Sequence, residues 1–314
     1  MLIGLIKIIR PVNLLIMALT MVFLRYFFFK TNLSIFGVGF AASDLQYVFL
    51  IFSVLRAAAA GYVINDMFDI RSDKINHPDR STSRNLFTRK QLITYYCILV
   101  LLSIISATMS VHSGILPVFF TLLFTIVLFL YSYKLKGLPF IGNIVVSGTI
   151  AFIPAYSLLY DIPATIYNID ADSYEYISKT ILEEKFNGMV LFFMEMAFFI
   201  NLIREVTKDI IDIEGDKEVA IRTIPIIYGA RRTAVFASIL TGVTVLLMLS
   251  HPVFAEISYS LSYFIVTTVP CMLLAVFFLL TSKYNHASLS LKIAMFMALM
   301  YLPIFHFIFG HHDI

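Results

Sequence analysis

Long apolar runs broken by short polar segments dominate the chain. A bilayer-spanning helix needs ~20 mainly apolar residues, and nine runs fit that description, at about 12–30, 44–64, 91–111, 115–131, 139–160, 187–205, 232–250, 259–281 and 289–309. Two of the breaks are tight, "HSG" at 112–114 and "KLKGLP" at 134–139. The pattern predicts an all-α membrane protein, a single domain over 1–314 with nine transmembrane helices. Composition agrees: 60% of residues are hydrophobic and 14% charged, where soluble domains carry roughly 25% charged residues. Lys7 and Arg10 before the first run imitate a signal peptide. No small-residue cleavage site follows, so a retained first span is expected.

Charge then orients the bundle, because loops on the cytoplasmic side are enriched in Lys and Arg. The N-terminus and every second loop hold 18 such residues, from Lys7 and Arg10 to Lys283 and Lys292. The opposite loops hold Lys179 and Lys185, with Arg25 and Lys30 near the end of the first span. The N-terminus is therefore expected in the cytoplasm, and nine spans leave the C-terminal "GHHDI" outside. The net charge of +3 arises from these basic loops and does not point to nucleic acid. Cys97 and Cys271 lie within apolar runs, so neither a disulfide framework nor a thiolate metal site is expected. Trp is absent, which leaves Tyr and Phe to supply interfacial aromatics. The longest outer loop, about 161–186, is acidic and reads as a solvated segment with a short helix near 173–185.

Against this background "AGYVINDMFDIRSDKINHPDR" at 60–80 is unusual, since it crowds Asp66, Asp69, Asp73 and Asp79 at the end of a span. A second cluster follows in "NLIREVTKDIIDIEGDKEVAIRTIPIIYG" at 201–229. Asp66, Asp69 and Asp73 share the spacing D-x-x-D-x-x-x-D with Asp209, Asp212 and Asp216, and each last Asp precedes a Lys. Four spans separate the clusters, which returns the chain to the same face. The halves, about 1–138 and 139–314, read as a diverged duplication. At ~100° per residue, Asn65, Asp69, Asp73 and Asn76 fall within about 80° of one another. Asn201, Glu205, Asp209, Asp212 and Asp216 do likewise.

Two acidic helix faces at one membrane mouth repel without a counter-ion. Oxygen ligands without a nearby His or Cys stripe select a hard cation, Mg²⁺ before Zn²⁺. Mg²⁺ keeps waters and substrate phosphates among its ligands, so the pair of clusters suits a diphosphate whose tail lies in the bilayer, as in an isoprenyl diphosphate. Interleaved Lys and Arg would meet the remaining phosphate oxygens. A cation transporter is the competing class, but its ion sites usually sit near the midplane on broken helices.

These residues resemble the UbiA superfamily of intramembrane prenyltransferases. "NDMFDIRSD" is similar to its first aspartate motif, "DIEGD" to its second, and "LYSYKLKGLPFIGN" at 130–143 to a further element. The resemblance implies nine helices around a central cavity, two Mg²⁺ ions and ionisation of a prenyl diphosphate to an allylic cation. Both aspartate stretches look most like the ether-lipid branch, which prenylates a glycerol-phosphate hydroxyl; Ala220 departs from the Gly of many relatives. An aromatic acceptor of the 4-hydroxybenzoate or naphthoate type is the alternative.

On this reading Asp66, Asp69, Asp73, Asp209, Asp212 and Asp216 are the expected metal ligands, with Asp69, Asp73, Asp212 and Asp216 central to catalysis. Asn65, Arg80, Lys134, Lys208 and Arg222 are the diphosphate candidates. Arg10, Asn13 and Arg56 are the acceptor candidates, the alternative for Arg56 being a pairing with Glu195 or a backbone carbonyl. Glu205 either ligates a metal or orients a ligand. Tyr131 and Tyr133 either face the allylic cation or anchor the interface.

Overall fold

A computed structural model describes residues 2–34, 38–77, 86–112, 114–167, 184–219, 221–256 and 258–309. In chain order the helices are α1 (Leu2–Ile8), α2 (Pro11–Leu33), α3 (Asp44–Phe68), α4 (Ile70–Asn76), α5 (Arg89–Met109), α6 (Leu116–Tyr133) and α7 (Ile141–Tyr167). There follow α8 (Glu184–Ile211), α9 (Ile213–Glu218), α10 (Ile224–Tyr228), α11 (Ala230–Leu249), α12 (Val253–Glu256), α13 (Ser258–Val266), α14 (Thr268–Leu280) and α15 (Tyr284–Phe309). No strand occurs among the described residues.

Eight helical stretches among the described residues are long and apolar enough to cross a membrane, against the nine expected. The difference falls on 187–205, which lies inside α8 and is not one of the eight. At ~1.5 Å per residue this 28-residue helix is about 42 Å long, ample for a ~30 Å hydrocarbon core. Its apolar run is interrupted by Glu195 and ends in Arg204, Glu205 and Lys208. Helix α7 also runs past the end expected at 160, as far as Tyr167, so Asp161 lies in a helix rather than a solvated loop. Most of the short helix expected near 173–185 lies outside the described residues.

The chain forms two compact units that interleave along the sequence, and so cut across the halves 1–138 and 139–314. The first comprises 1–18, 43–146 and 211–230, the second 19–42, 147–210 and 231–314.

In the first unit Ser43 and Thr88 start α3 and α5 with capping boxes closed by Gln46 and Gln91, which satisfy the first free amides. The run Ala57–Ala58–Ala59–Ala60–Gly61 gives α3 a thin waist. Small residues let membrane helices approach closely, and a Cβ on Gly61 would stand 2.9 Å from Leu128 Cδ1 of α6. Polar links fasten the same layer: Ser53 Oγ and Thr121 Oγ1 are 2.7 Å apart, and Ser103 Oγ donates to the Ser53 carbonyl at 2.8 Å.

The second unit is built around aromatic packing. Phe192 meets Phe254 and Phe264 edge-on, each at 5.0 Å between ring centres, and Phe264 tilts against Tyr301 at 5.1 Å. In α2 the backbone passes into a π-helical turn over Leu24–Phe29. This turn carries Arg25, which is fully buried with Asp161, Nη1 to Oδ1 at 3.1 Å. Nη2 donates to the Ala42 carbonyl at 2.7 Å, and the guanidinium lies 4.4 Å from the Phe40 ring centre.

Candidate functional site: two aspartate motifs clasped together

The two aspartate motifs share a backbone device. Helix α3 ends at Asp69, with φ −85° and ψ 12°, and α4 restarts at Ile70. Asp212 has nearly the same dihedrals, φ −93° and ψ 5°, between α8 and α9. Both lie in the sparsely occupied bridge region where many active-site residues sit. Four residues on, the Asp73 amide donates to the Asp69 carbonyl at 2.9 Å, and the Asp216 amide to Asp212 at 3.0 Å. This break corrects the expected alignment of Asn65, Asp69, Asp73 and Asn76 on one uninterrupted helical face. Neither Gly nor Pro marks it in the sequence.

Asn76 is instead turned onto the second motif. Its Nδ2 donates to the Asp212 carbonyl, and its Oδ1 accepts from the Gly215 amide, both at 2.9 Å. His77 Nε2 lies 3.1 Å from Asp212 Oδ1. This clasp explains the glycine: a Cβ on Gly215 would stand 2.5 Å from the Ser72 carbonyl oxygen and 2.5 Å from Asn76 Nδ2. Asp66, Asp69, Asp73 and Asp216 are all buried, and Asp212 is partly exposed.

Basic side chains offset this charge. Lys136 Nζ bonds Asp69 Oδ2, and Asn65 Nδ2 donates to the same oxygen at 2.7 Å. Arg10 Nη2 donates to Asp66 Oδ1 at 3.0 Å and its guanidinium lies over Tyr62, 4.7 Å from the ring centre. Arg10 has a positive φ of 54° immediately before Pro11, a conformation uncommon for a non-glycine residue. Burial pushes the Asp216 carboxyl up to about 7; Lys136 opposes that rise, while the charges of Asp212, Asp69 and Asp73 add to it. Burial works to lower the Lys136 ammonium pKa, but Asp69 and its acidic neighbours carry it above the usual lysine range.

Among the described residues no group of three carboxylates, His or Cys converges as a ready-made metal centre. The donor set still fits Mg²⁺, which takes one or two carboxylates and fills its octahedron with water and substrate phosphates. Asn65 Oδ1 is buried with no hydrogen-bond partner, an oxygen of the kind such an ion prefers.

The other expected residues divide. Lys134 is exposed at the end of α6, and the lysine that reaches the carboxylates is Lys136, two positions on. Arg222 is exposed, and Arg80 lies outside the described residues. In the second unit Lys208 Nζ bonds Glu205 Oε1 at 2.5 Å, and Asp209 is partly buried on the same helix. Asn13 Nδ2 donates to Tyr62 Oη at 3.3 Å. Arg56 takes the bland alternative: it donates to the Leu102 carbonyl at 3.3 Å and to Ser106 Oγ. It lies nine residues from Asn65, ~180° around α3, and so faces away from it. Glu195 pairs with His251 at 3.8 Å. Tyr133 is exposed and stacks on Phe129, which favours its anchoring role, whereas Tyr131 is half-buried within electrostatic reach of Lys136. The sequence pattern gives no role to Lys136 or His77 and places Asn76 on the acidic face without its part in the clasp, although all three stand in the quoted motifs.

Comparison with known proteins gives the chain a family and a fold. Residues 19–300 match the UbiA prenyltransferase family. Digeranylgeranylglyceryl phosphate synthase of Pyrococcus abyssi is 32% identical over 259 residues, 82% of either chain. The synthase of Pyrococcus horikoshii is 34% identical over 203 residues, a match that spans 64% of each chain. Among solved structures, a UbiA homologue from Archaeoglobus fulgidus bound to DMAPP and Mg²⁺ superposes with a TM-score of 0.55 at 16% identity, covering 94% of this chain and 99% of that one. Its likeness is one of fold. With most of its length matched and both aspartate motifs in place, this chain belongs to the UbiA prenyltransferase family.

Proposed function

We propose that this protein transfers a prenyl group, geranylgeranyl, from its diphosphate to the free hydroxyl of a prenylglyceryl phosphate, making an ether lipid. The clasp of Asn76 on Asp212 and Gly215 carries the reading, because it brings two carboxylate motifs and Lys136 to one place. The relatives named as digeranylgeranylglyceryl phosphate synthases support the acceptor class.

Asp69, Asp73, Asp212 and Asp216, with Asp66, would hold two Mg²⁺ ions. Bound there, such ions would supply positive charge to offset that developing on the departing diphosphate. Lys136 and Arg10 hold positive charge beside Asp69 and Asp66 and would donate hydrogen bonds to phosphate oxygens. Apolar helix walls keep water from the allylic cation. Such a cation is electrophilic enough that the acceptor hydroxyl needs no strong base. The excess of Lys and Arg in alternate loops supports a cytoplasmic N-terminus and site mouth.

The test is a transfer assay on purified protein with labelled geranylgeranyl diphosphate and Mg²⁺, offering geranylgeranylglyceryl phosphate and 4-hydroxybenzoate in parallel. Product from the glyceryl phosphate alone, abolished by EDTA, is expected. Product from the phenol alone would overturn the acceptor.

A further inference from the structure

Helix α4 has two unlike faces. At ~100° per residue, Ser72, Asp73 and Asn76 fall within about 100° of one another, and Arg71, Lys74 and Ile75 fill the opposite side. Ser72 and Asp73 are buried, and Asn76 makes the clasp to the second motif. Helix α9 packs on this face, where a Cβ on Gly215 would meet Ser72 and Asn76. On the other side Arg71, Lys74 and Ile75 are all exposed.

The wall beside α4 is apolar and ends in aromatic rings. Ile126, Phe129, Leu130 and Tyr133 form an exposed stripe at helical spacing along α6, opposite the buried Thr121, Phe124 and Ser132. In a helix that crosses a bilayer, such a stripe faces lipid. Phe68, exposed in the last turn of α3, packs on the end of that stripe, 6.3 Å from Phe129 and 5.8 Å from Tyr133 between ring centres. Lys134 follows Tyr133 directly, and Arg71 lies three residues beyond Phe68, so the two cations flank the aromatic pair. Lys134 is exposed too, and among the described residues no ion pair involves Arg71, Lys74 or Lys134. An apolar stripe, then aromatic rings, then cations is the order in which a bilayer passes from acyl chains to charged headgroups.

We infer that Arg71, Lys74 and Lys134 bind the headgroup of an anionic phospholipid, whose acyl chains lie along Phe68 and the α6 stripe. Charge complementarity selects this occupant. A zwitterionic headgroup brings no net charge to cations that lack a carboxylate partner, whereas an anionic one does. Asp73 and the clasp lie on the opposite face of α4, so the lipid is held apart from the carboxylates and bears on them only through the helix. Holding α4 from behind steadies Asp73 and Asn76 in place. Lipid binding here needs neither divalent metal nor a particular acceptor, and so stands or falls independently of the proposed reaction.

The test compares retention of phosphatidylglycerol and phosphatidylcholine by the purified protein in detergent with EDTA, read by native mass spectrometry. Wild type is expected to prefer phosphatidylglycerol. That preference should fall roughly fivefold for each of Arg71→Gln, Lys74→Gln and Lys134→Gln, the scale of one basic residue at an anionic surface. Arg71→Lys and Lys74→Arg conserve the charge and should keep the preference. In nanodiscs, amide hydrogen exchange across 70–77 should slow when phosphatidylglycerol replaces phosphatidylcholine, and should not do so in Arg71→Gln/Lys74→Gln. An unchanged preference in the Gln variants would overturn the site, as would an equal loss of both lipids. If inorganic pyrophosphate displaces phosphatidylglycerol from wild type, the face belongs to the donor diphosphate and the lipid assignment fails. Unchanged exchange in wild type would overturn the link from lipid to α4.

Discussion

Asp161 and Asp69 are both buried carboxylates, at 0% and 6% exposure, and each bonds a basic side chain. Their surroundings differ in kind. Asp161 pairs with Arg25, which is also fully buried and bound to the Ala42 carbonyl. Asp69 sits within electrostatic reach of Asp216 and Lys136, in a group where Asp216 also senses Asp212 and Asp73. Arg10 and Lys136, the cations set among these acids, keep 21% and 24% exposure. A dry pair of this kind is a structural tie. Among the described residues several carboxylates share two partly exposed cations, an arrangement that suits a binding site for further positive charge.

The largest effect should come from breaking the tie. Arg25→Met leaves Asp161 buried without its guanidinium and should cost about 3–5 kcal/mol of stability. Thermal unfolding in detergent checks this, and the double variant Arg25→Met/Asp161→Leu should recover most of the loss. Next, Asp69→Asn and Asp212→Asn should lower transfer by roughly 100- to 1,000-fold, the scale of losing one stabiliser of developing charge. Their melting temperatures should fall less than that of Arg25→Met, because each removes one charge from a repelling group. If Asp212→Asn instead unfolded the protein, the contrast between tie and site would be lost.

Smaller effects sharpen the comparison. Gly215→Ala should push the Ser72 and Asn76 segment away, costing about 1–3 kcal/mol as overpacking does. The Mg²⁺ activation midpoint should rise with it, since the two motifs would no longer share one register. Steady-state rates across a Mg²⁺ titration decide this. The smallest effect separates two neighbouring lysines: Lys136→Gln should raise the KM for the diphosphate roughly tenfold, the scale of a charge-assisted bond. Lys134→Gln should leave it within about twofold.

Much of this architecture is legible in the sequence because lipid imposes long apolar runs and tolerates few interruptions. The run at 187–205, inside α8, is legible in the same way, although Glu195 interrupts it and it is not one of the eight stretches apolar enough to cross. The motif residues Asp66, Asp69, Asp73, Asp212 and Asp216 are legible through matched spacing. What spacing does not show is the backbone turn at Asp69 and Asp212, since "MFDIR" and "IIDIE" contain no helix breaker. Nor does it separate Lys134 from Lys136: the short 3₁₀ turn Leu135–Gly137 after α6 decides which ammonium reaches Asp69. Arg25 and Asp161 stand 136 residues apart in sequence, and only the packing of the second unit joins them. Arg56 looked like a ligand site because charge within a span is rare. A backbone carbonyl and a serine hydroxyl on α5 satisfy it.

The central claim is that the clasped aspartate motifs hold divalent metal together with the donor diphosphate. Mn²⁺ binding followed by electron paramagnetic resonance, with and without a non-hydrolysable geranylgeranyl diphosphate analogue, tests it most directly. The account predicts donor-dependent binding of about two ions per chain, as expected when substrate phosphates complete the coordination sphere, and its loss in both Asp69→Asn and Asp212→Asn. Metal binding that ignores the donor, or that survives both substitutions, would contradict it.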